Sequence, residues 1–314
     1  MAVAYVFPGQ GSQSVGMGRA LADASPEARD VFAAADAALS SPVSTLAWEG
    51  PAQQLDLTEN AQPAILAASI AILRATEAGW EAAGIARPVP AFYAGHSMGQ
   101  YSAMVAADVI DLADGVRLVR ERGRLMQAAP DGAMAAIIGL DDARLPDLEA
   151  VGRAAGVFTI ANRNSPGQVV VSGDRVAVDA AAEAAKGLGA RRAIVLPVSV
   201  AAHSRLMAEA AAGMRVAIDA VSFRDPTAPL LANSDARPLT SAAACRDELV
   251  EHLTRGVDWV RAVQSMEAAG VDTYLEVGPG KVLTGLIKRI AADASVIALD
   301  EPGAPGALRL PFTD

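Results

Sequence analysis

Ser97 lies in "YAGHSMGQYSA" (93–103), where Gly95-His96-Ser97-Met98-Gly99 has the spacing Gly-x-Ser-x-Gly. The chemistry this pattern serves is nucleophilic. A serine on a sharp strand-to-helix bend projects its hydroxyl, and glycines two residues to either side let neighbouring backbone approach. The N-terminus of the following helix favours a developing oxyanion. A glycine-rich turn with an incidental serine is the bland reading. The apolar run "PAFYA" before the bend and the helical pattern from about Met98 argue against it. Hydrolysis and acyl transfer are both open on this stretch alone.

A serine nucleophile needs a base, and the chain offers three histidines, His96, His203 and His252. His96 adjoins the serine, but adjacent residues on a bend point apart. His203 follows the strand-like "AIVLPVSVAAHS", a strand-end position of the kind where α/β enzymes place site residues. It is the leading candidate. His252, in "DELVEHLTRG", has acidic neighbours and reads as a solvated side chain.

One arginine is out of place. With Asp111 as its expected N-cap, "LADGVRLVRERGRLMQ" (112–127) is a helix by period. Leu112, Val116, Leu118, Val119, Leu125 and Met126 share a broad apolar arc, with Arg117, Arg120, Glu121 and Arg124 opposite. Arg122 falls inside the apolar arc. A charge there must snorkel, pair with a carboxylate or receive a ligand. In a pocket, its guanidinium would hold a substrate carboxylate bidentately. The loop "FPGQGSQ" after the first strand lacks the spacing of a nucleotide-phosphate loop, but its glutamines and amides can act as oxyanion donors.

The elements that must position these residues follow an α/β pattern. Strands are expected at 3–7, in "PAFYAGHS", in "APLLANS", in "TYLEVGPG" and in "SVIAL", with helices over 26–39, 61–79, 204–220, 241–253 and 257–269. Between them, 132–198 reads βαββαβ, the ferredoxin-like unit. It looks like an insertion. The tail "EPGAPGALRLPFTD" has no clear pattern.

Composition narrows the function classes. Of 314 residues, 52% are hydrophobic and only 4% aromatic, so Ala, Val, Leu and Ile must build the core. A formal net charge of −10 argues against binding a phosphate backbone. The single cysteine, Cys245, cannot form an internal disulfide, and no Cys/His spacing suggests a metal site. No window is long and apolar enough to span a bilayer, and "MAVAYVFPGQ" lacks the features of a signal peptide. A cytoplasmic protein is expected.

Seven segments together resemble one family: "VFPGQGSQSVGMG", "GHSMGQYSA", "RERGRLMQ", "GAMAAIIGLDD", "ANRNSPGQVVVSG", "LPVSVAAHSRLM" and "YLEVGPGKVLTGLIKRI". The family is the malonyl-CoA:acyl-carrier-protein transacylases, with the related stand-alone acyltransferases of polyketide synthesis. The resemblance runs over about residues 3 to 298. It implies an α/β-hydrolase-like large domain (1–130 and 199–314) with an inserted ferredoxin-like small domain (131–198).

It also implies roles. Ser97 would carry the acyl group and His203 would be its base. Arg122 would clamp the malonyl carboxylate, and Gln10 with the Met98 N–H would form the oxyanion hole. The histidine would be oriented by a backbone carbonyl, at His252 here, where the family has Gln. No cofactor and no metal is expected. The implied partners are an acyl carrier protein and malonyl-CoA or an alkylmalonyl-CoA. Nucleic acid and membrane are not, and the chain is expected to be a monomer. An acyl hydrolase that clears carrier proteins is the alternative, and Arg122 argues against it.

Two further departures stand out. Gln100 replaces a family Glu, and Ala202, before the histidine, leaves room in the acyl pocket for an alkyl branch. Lys186, Arg191, Arg192, Lys281, Lys288 and Arg289 are candidate contacts for an acidic carrier.

Overall fold

A computed structural model of the protein describes residues 2–299; the tail "EPGAPGALRLPFTD" lies outside them. Among these residues, eleven strands run in chain order: β1 (Ala2–Phe7), β2 (Pro90–Gly95), β3 (Ala133–Ile138), β4 (Phe158–Ser165), β5 (Gln168–Gly173), β6 (Arg192–Val195), β7 (Leu230–Leu231), β8 (Pro238–Leu239), β9 (Val257–Asp258), β10 (Val271–Glu276) and β11 (Ser295–Ala298). They form two sheets.

The larger sheet has the order β11-β10-β1-β2-β7-β8, parallel except for the β7–β8 pair. Its central strands are buried on both faces. In β1, Val3, Tyr5 and Phe7 point into one apolar cluster while Ala4 and Val6 point into the other. That is why β1 reads as a continuous apolar run and not as an alternation. The first cluster is built on the helix Thr58–Ala82, almost entirely buried from Ala61 to Leu73. Alanines make up much of it, and their small side chains let this helix and its neighbours approach closely. The second face is covered by the helices Trp259–Ala268 and Val282–Ile290.

The smaller sheet has the order β6-β3-β5-β4-β9. The first four strands are antiparallel, in the order expected of βαββαβ, and the helices Leu145–Ala155 and Arg175–Gly187 cover one face. Pro146 sits in the first turn of its helix, where a missing N–H costs nothing. Where the chain leaves for this sheet and returns from it, Asp131 bridges Val200 and the Gly132 N–H donates to the Ser199 carbonyl at 2.8 Å. That junction lies three residues before His203.

Two local expectations change. The helix expected over 257–269 begins only at Trp259, because the Asp258 side chain accepts from the Arg261 N–H and caps it there. The extended Val257–Asp258 before it pairs with β4 instead, as a fifth strand on the small sheet. The strand expected in "APLLANS" shrinks to Leu230–Leu231, although the Tyr93 N–H to Pro229 carbonyl bond extends its ladder. Among the described residues, no helix is long and apolar enough to cross a membrane.

Candidate active site

The site lies outside the carboxyl ends of β1, β2 and β7, three neighbours in the parallel sheet, where loops diverge and leave a crevice. β2 runs directly into Ser97, which has φ of +53°. Serine rarely adopts this left-handed backbone, and the surroundings must impose it. The two glycines show how. A Cβ on Gly95 would come within 2.1 Å of the Gly99 backbone, and one on Gly99 within 2.2 Å of the Phe7 carbonyl oxygen. The bend closes so tightly against itself and against β1 that neither position tolerates a side chain.

Ser97 meets His203 directly, Oγ to Nε2 at 2.8 Å. On the other side of the ring, His203 Nδ1 lies 2.7 Å from the His252 carbonyl oxygen. A carbonyl only accepts, so Nδ1 carries the proton and Nε2 presents its lone pair to the serine hydroxyl. Burial, and next the positive charge of Arg122, push the His203 pKa down to about 3. The imidazole is therefore neutral, as a base must be before it takes a proton.

Arg122 is 1% exposed, and among the described residues no carboxylate pairs with it. One Nη donates to Gln62 Oε1 at 2.9 Å and the other to Ser97 Oγ at 3.2 Å, while Nε has no partner. Desolvation is costly for an unpaired cation. A buried guanidinium with spare donors beside a serine hydroxyl can receive an anion. The expected apolar arc holds, with Val116, Leu118, Val119 and Met126 buried and Leu125 partly exposed. Asp111 occupies the N-cap position, but its side chain pairs with Arg224 and caps nothing.

The Ser97 N–H donates to Asn233 Oδ1 at 2.8 Å. The next amide, of Met98, has no hydrogen-bond partner among the described residues and could donate to an oxyanion. Gln10 makes no hydrogen bond to the serine; it is exposed, with Nε2 3.3 Å from Thr58 Oγ1. Ala202 is partly buried against the main core. His96 Nε2 faces Asn164 Oδ1 at 2.9 Å, toward the small sheet and away from the base position.

The side chain of His252 corrects a sequence expectation. It is 0% exposed, not solvated, because its helix (Ala242–Arg255) turns that face into the core. Its ring packs edge-on against Tyr101 and His203, and burial holds its pKa well below the usual imidazole value.

Three site residues went unread in the sequence. Gln62 and Asn233 are polar residues inside buried apolar runs, "NAQPAIL" and "PLLANS", and that is the signal that could have found them. Glu248, 0% exposed and with burial raising its pKa to about 7, carried no such signal on a helix with several charges.

Gln100 is also fully buried. Its Oε1 accepts from the Gly95 N–H at 3.1 Å and its Nε2 donates to the Leu231 carbonyl at 3.0 Å, tying the bend to β7. A carboxylate could accept the first bond but not donate the second. In Gln100→Glu the acid must stay protonated to donate, so its folded-state pKa is raised. Stability is then retained below the unfolded pKa and lost as pH rises through the folded one. Urea unfolding of this variant should match the wild type in acid and fall short by about 1–3 kcal/mol in mild alkali, with acyl selectivity unchanged. A shift in selectivity without this pH-dependent loss would overturn that account of Gln100.

The six candidate carrier contacts, Lys186, Arg191, Arg192, Lys281, Lys288 and Arg289, are all exposed, and Arg289 bonds Gln168 Oε1 at 2.7 Å.

The chain is similar to known proteins over nearly its whole length. The model of the acyl transferase domain family matches residues 4–299. The chain is 47% identical over 307 residues to the malonyl CoA-acyl carrier protein transacylase of Escherichia coli (strain K12), covering 97% of each. Among solved structures, the acyl-carrier-protein S-malonyltransferase of Bartonella henselae superposes with a TM-score of 0.91 at 42% identity, covering 96% of each chain. A type II PKS malonyl-transacylase, solved in complex with its acyl-carrier protein, superposes with a TM-score of 0.89 at 41% identity over 96% of both. With this fold, its large α/β-hydrolase-like part and its ferredoxin-like part, the chain belongs to the malonyl CoA-acyl carrier protein transacylase family.

Proposed function

We propose that this protein moves a malonyl group from CoA to the phosphopantetheine thiol of an acyl carrier protein through an acyl-Ser97 intermediate. The observation that carries the reading is Arg122, a buried guanidinium without a carboxylate partner, 3.2 Å from Ser97 Oγ. A hydrolase of neutral acyl chains has no use for such a group. A carboxylated acyl chain supplies its missing charge.

The steps follow from the groups present. The malonyl carboxylate docks on Arg122, which sets the thioester carbonyl over Ser97. His203 Nε2 takes the hydroxyl proton as Oγ attacks, and the His252 carbonyl holds the resulting imidazolium through Nδ1–H. The Met98 N–H and the Gln10 amide, redirected from Thr58, stabilise the oxyanion. The CoA thiolate leaves with the proton from His203. The carrier thiol then repeats the sequence in reverse, with His203 taking its proton and Ser97 as the leaving group. Docking of an acidic carrier draws on the basic side chains around the small sheet and after the Gly278-Pro279-Gly280 turn.

We also read 131–198 as a unit inserted between 1–130 and 199–314. Support comes from its separate apolar core and from the Asp131–Val200 bridge at its base. The insertion thereby delivers Ala202 and His203 to the serine.

Labelled malonyl-CoA tests the whole scheme. Incubated alone, the protein should hold label on Ser97; with a carrier, label should pass to the carrier thiol. Release mainly as free malonate would make it a hydrolase, and no label on Ser97 would end the reading. Ala202 adds a second expectation. Its single methyl leaves space beside the base, and an alkyl branch there costs at most ~1–3 kcal/mol. Ethylmalonyl-CoA should therefore also acylate Ser97. Strict preference for malonyl-CoA would show that the pocket is closed by other residues.

A further inference from the structure

The serine and the histidine are both anchored, by short polar routes, to one turn of the helix Ala242–Arg255. Asn233, at the end of β7, accepts the Ser97 N–H on Oδ1 at 2.8 Å. The backbone of Asn233 is itself held on both sides. Its N–H donates to Glu248 Oε1 at 2.6 Å, and its carbonyl accepts the Asp258 N–H at 2.7 Å. One turn on from Glu248, the His252 carbonyl accepts from His203 Nδ1 at 2.7 Å. The His252 ring nitrogen Nδ1 closes the loop at 3.8 Å from Glu248 Oε1. With the imidazole held neutral, that contact is not an ion pair but packing.

Two features say that Glu248 is not a generic core residue. It is completely buried, yet its second oxygen has no hydrogen-bond partner, and the nearest charge, Arg237, stands 3.9 Å away. An apolar side chain would fill the same space without that desolvation cost. What an apolar side chain could not do is accept the Asn233 N–H. Ser97 and His203 both hold left-handed backbone, φ +53° and +61°, which relaxes unless the surroundings over-determine it. The loop through Glu248 reaches both.

We propose that Glu248 and Asn233 are positioning residues for acyl transfer, fixing nucleophile and base against one helical turn through the Ser97 amide and the His252 carbonyl. The inference rests on the reading of Ser97 and His203 as nucleophile and base. It names side chains that touch neither the acyl group nor the thiol. Their contribution is alignment, so their loss should appear in kcat and in the intrinsic reactivity of Ser97, not in acyl-CoA binding.

The test compares Glu248→Gln with Glu248→Met. Two quantities are followed, kcat and KM for malonyl-CoA, and the rate at which a small neutral fluorophosphonate labels Ser97. Glu248→Gln keeps an oxygen for the Asn233 N–H and should stay within about twofold of wild type in both. Glu248→Met should lower kcat and the labelling rate together by about tenfold or more, with KM little changed. An unchanged kcat in Glu248→Met, or a loss confined to KM, overturns the proposal. If Glu248→Met does not fold, Asn233→Ala is read in the same assays. It should show the same joint loss, and wild-type rates there would equally overturn it. Wild-type protein that is not labelled at Ser97 would instead remove the underlying assignment of the nucleophile, so the two failures are distinct.

Discussion

Replacing Arg122 by alanine should reduce kcat/KM for malonyl transfer by roughly a thousandfold, while acetyl-CoA, which has no carboxylate to lose, should suffer far less. The size follows from the burial. Two charge-assisted hydrogen bonds to a carboxylate in a water-excluded site contribute about 1.5–3 kcal/mol each. They also orient the thioester, so the loss should fall on kcat as well as KM. Selectivity is the sharper readout. The malonyl-to-acetyl ratio should collapse, and if it stays at the wild-type value the clamp is elsewhere. Folding is separable from this effect. Arg122→Met fills the same volume, removes an unpaired buried cation and orphans only Gln62 Oε1, so its unfolding free energy should lie within about 2 kcal/mol of wild type. A variant that is folded and inactive toward malonyl-CoA alone is the expected outcome.

His203→Ala should slow acylation of Ser97 by ~10²–10⁴, the usual contribution of a positioned general base. The pH dependence of the wild type carries more information. A histidine with an ordinary pKa would switch off as pH falls through 6.5. Here burial and Arg122 hold His203 down to about 3, so kcat/KM, which reports the free enzyme, should remain flat through that region. The sign of the Arg122 effect then yields two linked results. Removing the positive charge in Arg122→Met lets the imidazolium form more easily, so the acid limb should move to higher pH. A bound malonyl carboxylate neutralises the same charge, so the acid limb of kcat with malonyl-CoA should lie above that of kcat/KM. With acetyl-CoA the two limbs should stay closer together. An acid limb near the ordinary imidazole value, unmoved in Arg122→Met, would show that Arg122 does not tune the base. In this scheme the substrate carboxylate strengthens the base that activates Ser97 against the thioester, so binding and activation are one event.

Much of this site was legible in the sequence because local rules determine it. The bend at Ser97 follows from two glycines and the change from a strand pattern to a helix pattern. The anomaly of Arg122 follows from helical period alone. The βαββαβ order of the small sheet follows from alternating runs and their turns, and the apolar character of β1 from burial on both faces. What local rules could not decide is which polar groups meet across the chain. His252 lies beside acidic residues in sequence and looked solvated, yet the packing of its helix buries the ring and offers its carbonyl to His203, 49 residues away. Asn233 meets the Ser97 amide across 136 residues because β7 is the neighbour of β2 in a parallel sheet, a pairing that sequence periodicity does not specify. Val257–Asp258 read as helix because its pairing with β4 is likewise long-range. Residue type and period set each element and its buried face. The partners of a buried donor or acceptor depend on strand order and helix packing, which only the assembled core decides, and the alignment of Ser97, His203 and Arg122 is of that kind.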